Sequence, residues 1–390
     1  MSKRKFIKGG TVVFEDEIKS TTIVINGAVI ENADYRGKIP SDAMIIDASD
    51  KIVAPGIVEI HSHGGGGFDF MDGTFEAFDT IAKTHISHGV TSMLPTTVAT
   101  SFDEMKKVFD LYREISKNTD IFLGLHLEGP YISMEMKGAQ NPEYIRCPSN
   151  YEIDELMDCA GDIIKKCTAA PEIEGMEYMA RRMREKGIIL SVGHSYGTFS
   201  DVERAREFGF SHITHLYSNT PSVRKINQRV NAGILEAAYY FDDIFIELIG
   251  DGRHVPKDVL KLALKIKGAE RINITSDSMR AAGTDVSESY LGAIRPENRV
   301  IIEDGVAKLP DRSFYAGSIA TGNTMLKWLV NDCNVSLSDA FSMLSLTPAT
   351  VINEQSRIGS IENGKDADII ILSERLDVEK VYLKGVSINA

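Results

Sequence analysis

Hydrophobic and polar positions divide the chain into two β-rich ends and an alternating middle. Short β-branched runs at 11–14, 21–27 and 44–48 are broken by Gly, Asn and Pro, the punctuation expected between strands. Runs of the same kind return at 367–372 and 378–385. Between them, apolar runs of strand length occupy 57–63, 91–98, 121–128, 163–169, 188–194, 211–216, 244–250 and 271–277. Helical patterns separate most of these. Phe75, Phe78, Ile81, Ala82 and Ile86 recur at i, i+3, i+6, i+7 and i+11 and share one helix face. Strands alternating with helices predict an α/β fold, a (β/α)8 TIM-like barrel, with a doubly wound sheet as the competing arrangement. The strand runs read as apolar on both sides, as strands between a barrel interior and a helix ring. Residues 1–54 and 355–390 are expected to form one small β-sandwich domain built from both termini. Residues 55–354 form the barrel.

Composition narrows the function classes. The chain has 390 residues, 43% hydrophobic and 25% charged, enough apolar material for a large core without disulfide or metal staples. Lys plus Arg number 43 against 56 Asp plus Glu, a net charge of −13, which argues against a nucleic-acid partner because phosphate backbones need clustered cations. A small anionic substrate needs only one or two local cations. Cys147, Cys159, Cys167 and Cys333 form no C-x-x-C pair, so neither a zinc knuckle nor a disulfide framework is indicated. The basic start M-S-K-R-K-F-I-K has no apolar h-region after it, and no run reaches the length of a membrane span. The expectation is a cytoplasmic protein without a membrane partner.

Catalytic groups of a barrel sit at the C-terminal ends of its strands. In chain order these ends carry His61 and His63, Glu128, His194, His215 and Asp277, and His254 lies in the loop after the seventh run. Five of the nine histidines therefore fall at one end of the fold. His61 and His63 are two apart, so on a strand they face the same way and suit one cation between them. Imidazole with carboxylate fits Zn, Fe, Mn, Co or Ni. The glycines at 64–67 remove side-chain bulk beside the pair and are expected to leave room for a ligand.

Each residue alone has an ordinary structural reading. A lone H-x-H is a weak motif, a lone strand-end histidine is commonly a hydrogen-bonded core residue, and Asp277 alone would suit a helix N-cap. His85, His88, His126 and His212 are assigned structural roles. His126 shares parity with Glu128 and is a candidate outer support. His212 is expected to face away from His215. Convergence is what gives the set its meaning.

The motifs H-L-E-G-P-Y, G-H-S, T-H-L-Y, D-G-R-H-V and T-S-D-S-M follow the H-x-H. With V-A-P-G-I-V-E-I-H-S-H-G, Y-A-G-S and I-G-S-I-E-N-G-K-D-A-D-I-I-I-L, they resemble the amidohydrolase superfamily, and within it the N-acetylglucosamine-6-phosphate deacetylase family. The resemblance runs from about residue 5 to 388. It implies a metal-dependent hydrolase, usually a homodimer, that cleaves the N-acetyl group of a phosphorylated amino sugar to acetate and free amine. It implies that His61, His63, Glu128 and Asp277 hold one divalent metal and that Glu128, His194 and His215 hold a second. No lysine stands at the end of the fourth strand, where other amidohydrolases carry a carboxylated bridging lysine, so Glu128 is the bridging candidate. Asp277 is then the general base and later acid, and His254 stabilises the oxyanion.

Around the sugar, the resemblance implies contacts from Ala139, Gln140, Ser218, Asn219, His254 and Ser318. Gln140 stands where many members have His, and Ser-Asn-Thr replaces the usual Asn-Ala-Met. The family's G-R-E-P-G-like run, whose arginine holds phosphate, is here V-R-K-I-N-Q-R-V. Arg224, Lys225 and Arg229 are the candidates for that contact, with Arg280 as a further cation. Alternative readings are a deacetylase of N-acetylgalactosamine 6-phosphate or of an unphosphorylated N-acetyl amino sugar, and an inactive binding homologue.

Overall fold

The structure, a computed structural model, describes residues 4–388; residues 1–3 and 389–390 of the expected small domain lie outside it. Eight parallel strands follow one another round a single sheet: β1 (Ile57–Ser62), β2 (Val90–Thr97), β3 (Leu125–Glu128), β4 (Ile164–Ala169), β5 (Ile189–Val192), β6 (Phe210–Ile213), β7 (Phe245–Ile249) and β8 (Ile272–Thr275). The sheet closes where Ser62 bridges Ser278 and the Asp277 amide donates to His61 O at 3.0 Å. Strand neighbours in strict chain order exclude the doubly wound alternative, and the chain is a (β/α)8 barrel. Helices α1 (Phe75–Ser87), α2 (Phe102–Ile115), α3 (Asn150–Ala160), α4 (Met176–Glu185), α5 (Phe199–Glu207), α6 (Ile234–Tyr240) and α7 (Lys257–Lys267) follow β1 to β7 in turn.

Local chemistry sets these boundaries. Thr74, Ser101 and Ser149 cap α1, α2 and α3 by accepting from amides in the first turn, a contact worth about 1 kcal/mol each. Each helix then lays an apolar stripe on the strands. In α2 the stripe is Met105, Val108, Phe109, Tyr112 and Ile115. After β8, the helical segment that ends at Val351 packs Ala349 and Val351 on Val58, Ile60 and Leu94. The terminal segments form two facing sheets, one of residues 5–8, 22–26, 29–35 and 44–47, the other of 11–13, 18–20, 52–55, 369–372, 378–383 and 386–388. Ile7, Ile25 and Ile46 of the first meet Val53, Ile369 and Ile371 of the second in one apolar core.

The barrel interior departs from the expectation of apolar strands. Glu59, His61, His126, Lys166, Thr168, Ser191, His212, Thr214, Glu247, Asn273 and Thr275 are all buried, and they bond to one another. Glu247 pairs with Lys166 at 2.6 Å. His126 lies between Thr96 and Thr168. Thr214 joins Thr168 and Ser191. Glu59 takes the hydroxyl of Thr275 and the amides of His61 and Ser276. Buried polar atoms are tolerated because nearly every one has a partner. The layer forms a rigid polar floor beneath the strand ends.

Candidate active site

Six side chains converge over this floor. His61 is the last residue but one of β1 and Glu128 ends β3. His194, His215 and Asp277 each stand two residues beyond β5, β6 and β8, and all three have positive φ, 46°, 29° and 45°. A non-glycine residue in this region costs about 1–3 kcal/mol and persists only where its surroundings impose it. The turn swings each side chain back over the barrel mouth. It also corrects the expectation for His212. Strand alternation stops after Ile213, so His212 and His215 both face inward. His212 is buried against Ser191 at 2.8 Å, with its other nitrogen 4.0 Å from Glu247.

The convergence forms two clusters that share one carboxylate. His61, His63 and Glu128 make the first, and Glu128, His194 and His215 the second, with the ligand atoms of each within 4.8 Å of one another. Glu128 Oε1 lies 3.4 Å from His61 Nε2, 3.2 Å from His194 Nε2 and 2.9 Å from His215 Nε2. Glu128 Oε2 lies 3.2 Å from His63 Nε2. Asp277 Oδ1 lies 3.5 Å from His61 Nε2 and 3.3 Å from His63 Nε2. The outward nitrogens are fixed as well. The His194 Nδ1–H donates to Met136 O at 2.8 Å and that of His215 to Ser218 O at 3.1 Å, so each Nε2 lone pair faces the cluster. His61 Nδ1 meets the Glu247 carboxylate at 2.7 Å. His61 Nε2 is buried without a hydrogen-bond partner. A fixed, dry set of imidazoles and carboxylates with an orphaned nitrogen suits divalent cations of the Zn and Fe class.

Electrostatics agree with that fit. Burial opposes the charge on Glu128, yet His61 and His194 hold its carboxyl well below the usual range. Burial likewise opposes ionisation of Asp277, but His61 and His63 lower its pKa. Burial disfavours protonated His61, but Glu247, Glu128 and Asp277 outweigh it and lift its pKa to about 9. His212 in the floor and His85 on α1 behave oppositely. Burial and Lys166 push His212 down to about 3, and burial takes His85 to about 4.

A cavity of about 560 Å³ opens above the clusters. Ala139, Gln140, Ser218, Asn219 and His254 line it with His63, Glu128, His194, His215 and Asp277. His254 is oriented by Asp251, whose Oδ2 lies 2.6 Å from its Nδ1, and Tyr315 packs edge-on against its ring at 4.8 Å. Gln140 has both ends engaged: its Nε2 donates to Glu128 Oε2 at 2.7 Å, and its Oε1 accepts from the Ala99 amide at 2.8 Å. It braces the shared carboxylate as well as lining the cavity.

Other expected positions fall elsewhere. Ser318 is buried in the chain closing over β8, where its hydroxyl donates to Ser276 O and accepts from Ala320 N. Arg224, Lys225 and Arg229 belong to a two-stranded hairpin, 224–226 with 229–231, and none of them lines the cavity. Arg224 is held by the main-chain carbonyls of Tyr196 and Gly197, and its guanidinium stacks over the Tyr196 ring. Arg280 is spent on Asp72, with two contacts at 2.6 and 2.7 Å. The glycines at 64–67 make no ligand space. Gly64 and Gly65 pair with Phe68 and Asp69, and a Cβ on Gly64 would stand 2.2 Å from Phe68 O, so glycine is needed for close packing. The cation that does reach the cavity is Arg312, beside Phe314 and Tyr315. It sits on a loop after the small sheet of residues 288–290, 299–303 and 306–308. Loop residues carry no periodic signal, which is why Arg312 escapes a strand-end reading. Asp251 was legible in principle, three residues before His254 in D-G-R-H.

Comparison with known proteins agrees with this geometry. Residues 52–388 match the Amidohydrolase family. N-acetylglucosamine-6-phosphate deacetylase of Bacillus subtilis is 32% identical over 99% of this chain and 97% of its own length. N-acetylgalactosamine-6-phosphate deacetylase of Escherichia coli is 27% identical, covering 89% of this chain and 90% of its own. The crystal structure of N-acetylglucosamine-6-phosphate deacetylase from Pasteurella multocida superposes with a TM-score of 0.91 at 28% identity, over 99% of this chain and all of that one. The chain belongs to the amidohydrolase family, and within it to the N-acetylglucosamine-6-phosphate deacetylases.

Proposed function

We propose that this protein hydrolyses the N-acetyl group of N-acetylglucosamine 6-phosphate, giving glucosamine 6-phosphate and acetate. The observation that carries the reading is the pair of clusters sharing Glu128 on the floor of a cavity that His254 and Asp277 also face. His61, His63, Glu128 and Asp277 would hold one divalent cation, and Glu128, His194 and His215 the other. Such cations polarise an amide carbonyl and acidify water. Asp277, ionised and 3.3 Å from His63, accepts the proton of the attacking water and returns it to the nitrogen as the C–N bond breaks. The amine needs that proton because an amide anion is too poor a leaving group. His254 has its Nδ1 proton engaged by Asp251, so it donates from Nε2 to the developing oxyanion only as the doubly protonated imidazolium. Acetate release from N-acetylglucosamine, N-acetylgalactosamine and their 6-phosphates tests the reading. Fastest turnover is expected on the glucosamine 6-phosphate derivative, and no release from any of the four would overturn it.

The sugar phosphate is assigned to Arg312 at the cavity wall. Its Nε donates to Glu303 at 2.8 Å, an exposed pair of little net worth that a phosphate can share. Arg312→Ala is expected to raise KM for the 6-phosphorylated sugar about tenfold, as loss of one exposed charge-assisted hydrogen bond does, with kcat and the unphosphorylated sugar little changed. Arg224→Ala and Arg229→Ala are the controls. An unchanged KM in Arg312→Ala, with a raised one in a control, would return the contact to the hairpin.

Cation binding is expected to depend on pH through His61. Its pKa in the cation-free protein is raised from 6.5 to about 9. Protonation therefore stabilises that form fully below about 6.5, and the contribution is lost as pH rises through about 9. A cation must displace the proton, so apparent affinity should climb with pH across that window. Calorimetry at pH 7.5 in buffers of different ionisation heat should show protons released on binding, and none released would contradict the assignment.

A homodimer is part of the same proposal. Val223 and Val230, at the hairpin of residues 224–231, are 53% and 69% exposed, which supports a covered surface there. Among the described residues no helix is long and apolar enough to cross a membrane; a cytoplasmic place of action is part of the same proposal.

A further inference from the structure

Lys166 and Glu247 form an ion pair on the barrel axis that the chemistry above does not use. Both side chains are fully buried, and Lys166 Nζ donates to Glu247 Oε2 at 2.6 Å. The lysine lies on β4, three residues before the strand ends, and so stays below the clusters. Asn273 Nδ2 donates to the same oxygen at 3.2 Å. The other oxygen, Oε1, faces His61 Nδ1 at 2.7 Å and accepts the His215 amide at 3.2 Å. Two donors thus fix one end of the carboxylate, and the other end, which already accepts from the His215 amide, can only accept from His61.

An acceptor at Nδ1 requires the proton there, which leaves the Nε2 lone pair for the cluster. His61 differs from its neighbours in this respect. His194 and His215 find their acceptors in main-chain carbonyls of nearby loops, and His63 Nδ1 has no partner. The first cluster therefore depends on a side chain that the lysine holds in place. A buried ion pair contributes little net stability against an apolar pair of the same volume, so stability alone does not account for it.

We propose that Glu247, anchored by Lys166 and Asn273, is a positioning residue that sets the tautomer and ring orientation of His61, and so the cation affinity of the first cluster. The inference rests on the two-cluster reading above. It concerns hydrogen-bond geometry, so the acceptor should matter more than the charge.

The test compares two double variants with the unsubstituted chain. Glu247→Gln with Lys166→Met keeps an acceptor oxygen and removes both charges together, so no buried ion is orphaned. Glu247→Leu with Lys166→Met removes the acceptor as well. Zn occupancy at each cluster is read by anomalous diffraction from crystals equilibrated at a series of buffered free Zn concentrations. The Gln variant is expected to hold its first-cluster affinity within about threefold. The Leu variant should lose about 10–100-fold there, with the second cluster changed far less. Equal losses at both clusters, or none at either, would overturn the proposal, as would a Gln variant as weak as the Leu variant. Failure of the two-cluster reading is distinguishable, because the unsubstituted chain would then bind no Zn at His61 and His63.

Discussion

Asp277→Asn is expected to lower kcat for acetate release by about 10²–10⁴-fold, the usual worth of a positioned acid and base, while KM changes little. Asp277 is 7% exposed at the cavity floor, 3.5 and 3.3 Å from His61 and His63. Burial works against its charge, but those imidazoles keep it ionised. On the proposed function it is the carboxylate that accepts the proton of the water and gives it to the leaving nitrogen. Asparagine has the same shape and keeps an oxygen toward His63, so the fold and the cation content should survive. Steady-state kinetics with elemental analysis of the same sample separates the two effects. A kcat within threefold of the unsubstituted enzyme would remove Asp277 from the proton transfer, and loss of cation would show that its share in holding the cation outweighs that transfer.

Glu128→Gln is expected to empty both clusters. Its Oε1 serves His61, His194 and His215 at 3.4, 3.2 and 2.9 Å, and its Oε2 serves His63 at 3.2 Å. Among the described residues no other carboxylate belongs to both clusters. Substitution of an outer support typically costs 10–100-fold in affinity, and a shared inner ligand should cost more than that. Gln140 already donates to Glu128 Oε2, so a glutamine at 128 would also have to turn its amide away from that donor. Cation content is expected to fall below one per chain, with acetate release down more than about a hundredfold. Two cations per chain in Glu128→Gln would show that the clusters do not depend on the shared carboxylate.

Much of the barrel was legible because alternating strand and helix patterns survive in any single sequence. The site residues were legible because barrel chemistry collects at strand ends. His61, His63, Glu128, His194, His215 and Asp277 could be picked out by position alone, and the structure brings all six together. Their aim was not readable. Positive φ at His194, His215 and Asp277 is imposed by tertiary contacts, and strand parity misplaced His212 for that reason. The polar interior is also written in the chain. Glu59 with His61, His126 with Glu128, Lys166 with Thr168, His212 with Thr214, and Asn273 with Thr275 all alternate at period two, the mark of one strand face. Long apolar neighbours hid that alternation. The cavity wall was least legible. Arg312 reaches it from a loop next to the closing segment at Gly317 and Ser318, which pairs with Ser278, whereas the family resemblance pointed to the hairpin run that stands in place of its phosphate-binding arginine.

The decisive measurement is acetate release from N-acetylglucosamine 6-phosphate by protein stripped of cations with a chelator and then titrated with Zn, Fe, Mn, Co or Ni. Release should fall to background on stripping and return in proportion to bound cation, levelling off at two per chain. Undiminished release from the stripped protein would contradict a cation-dependent site built on the shared carboxylate of Glu128.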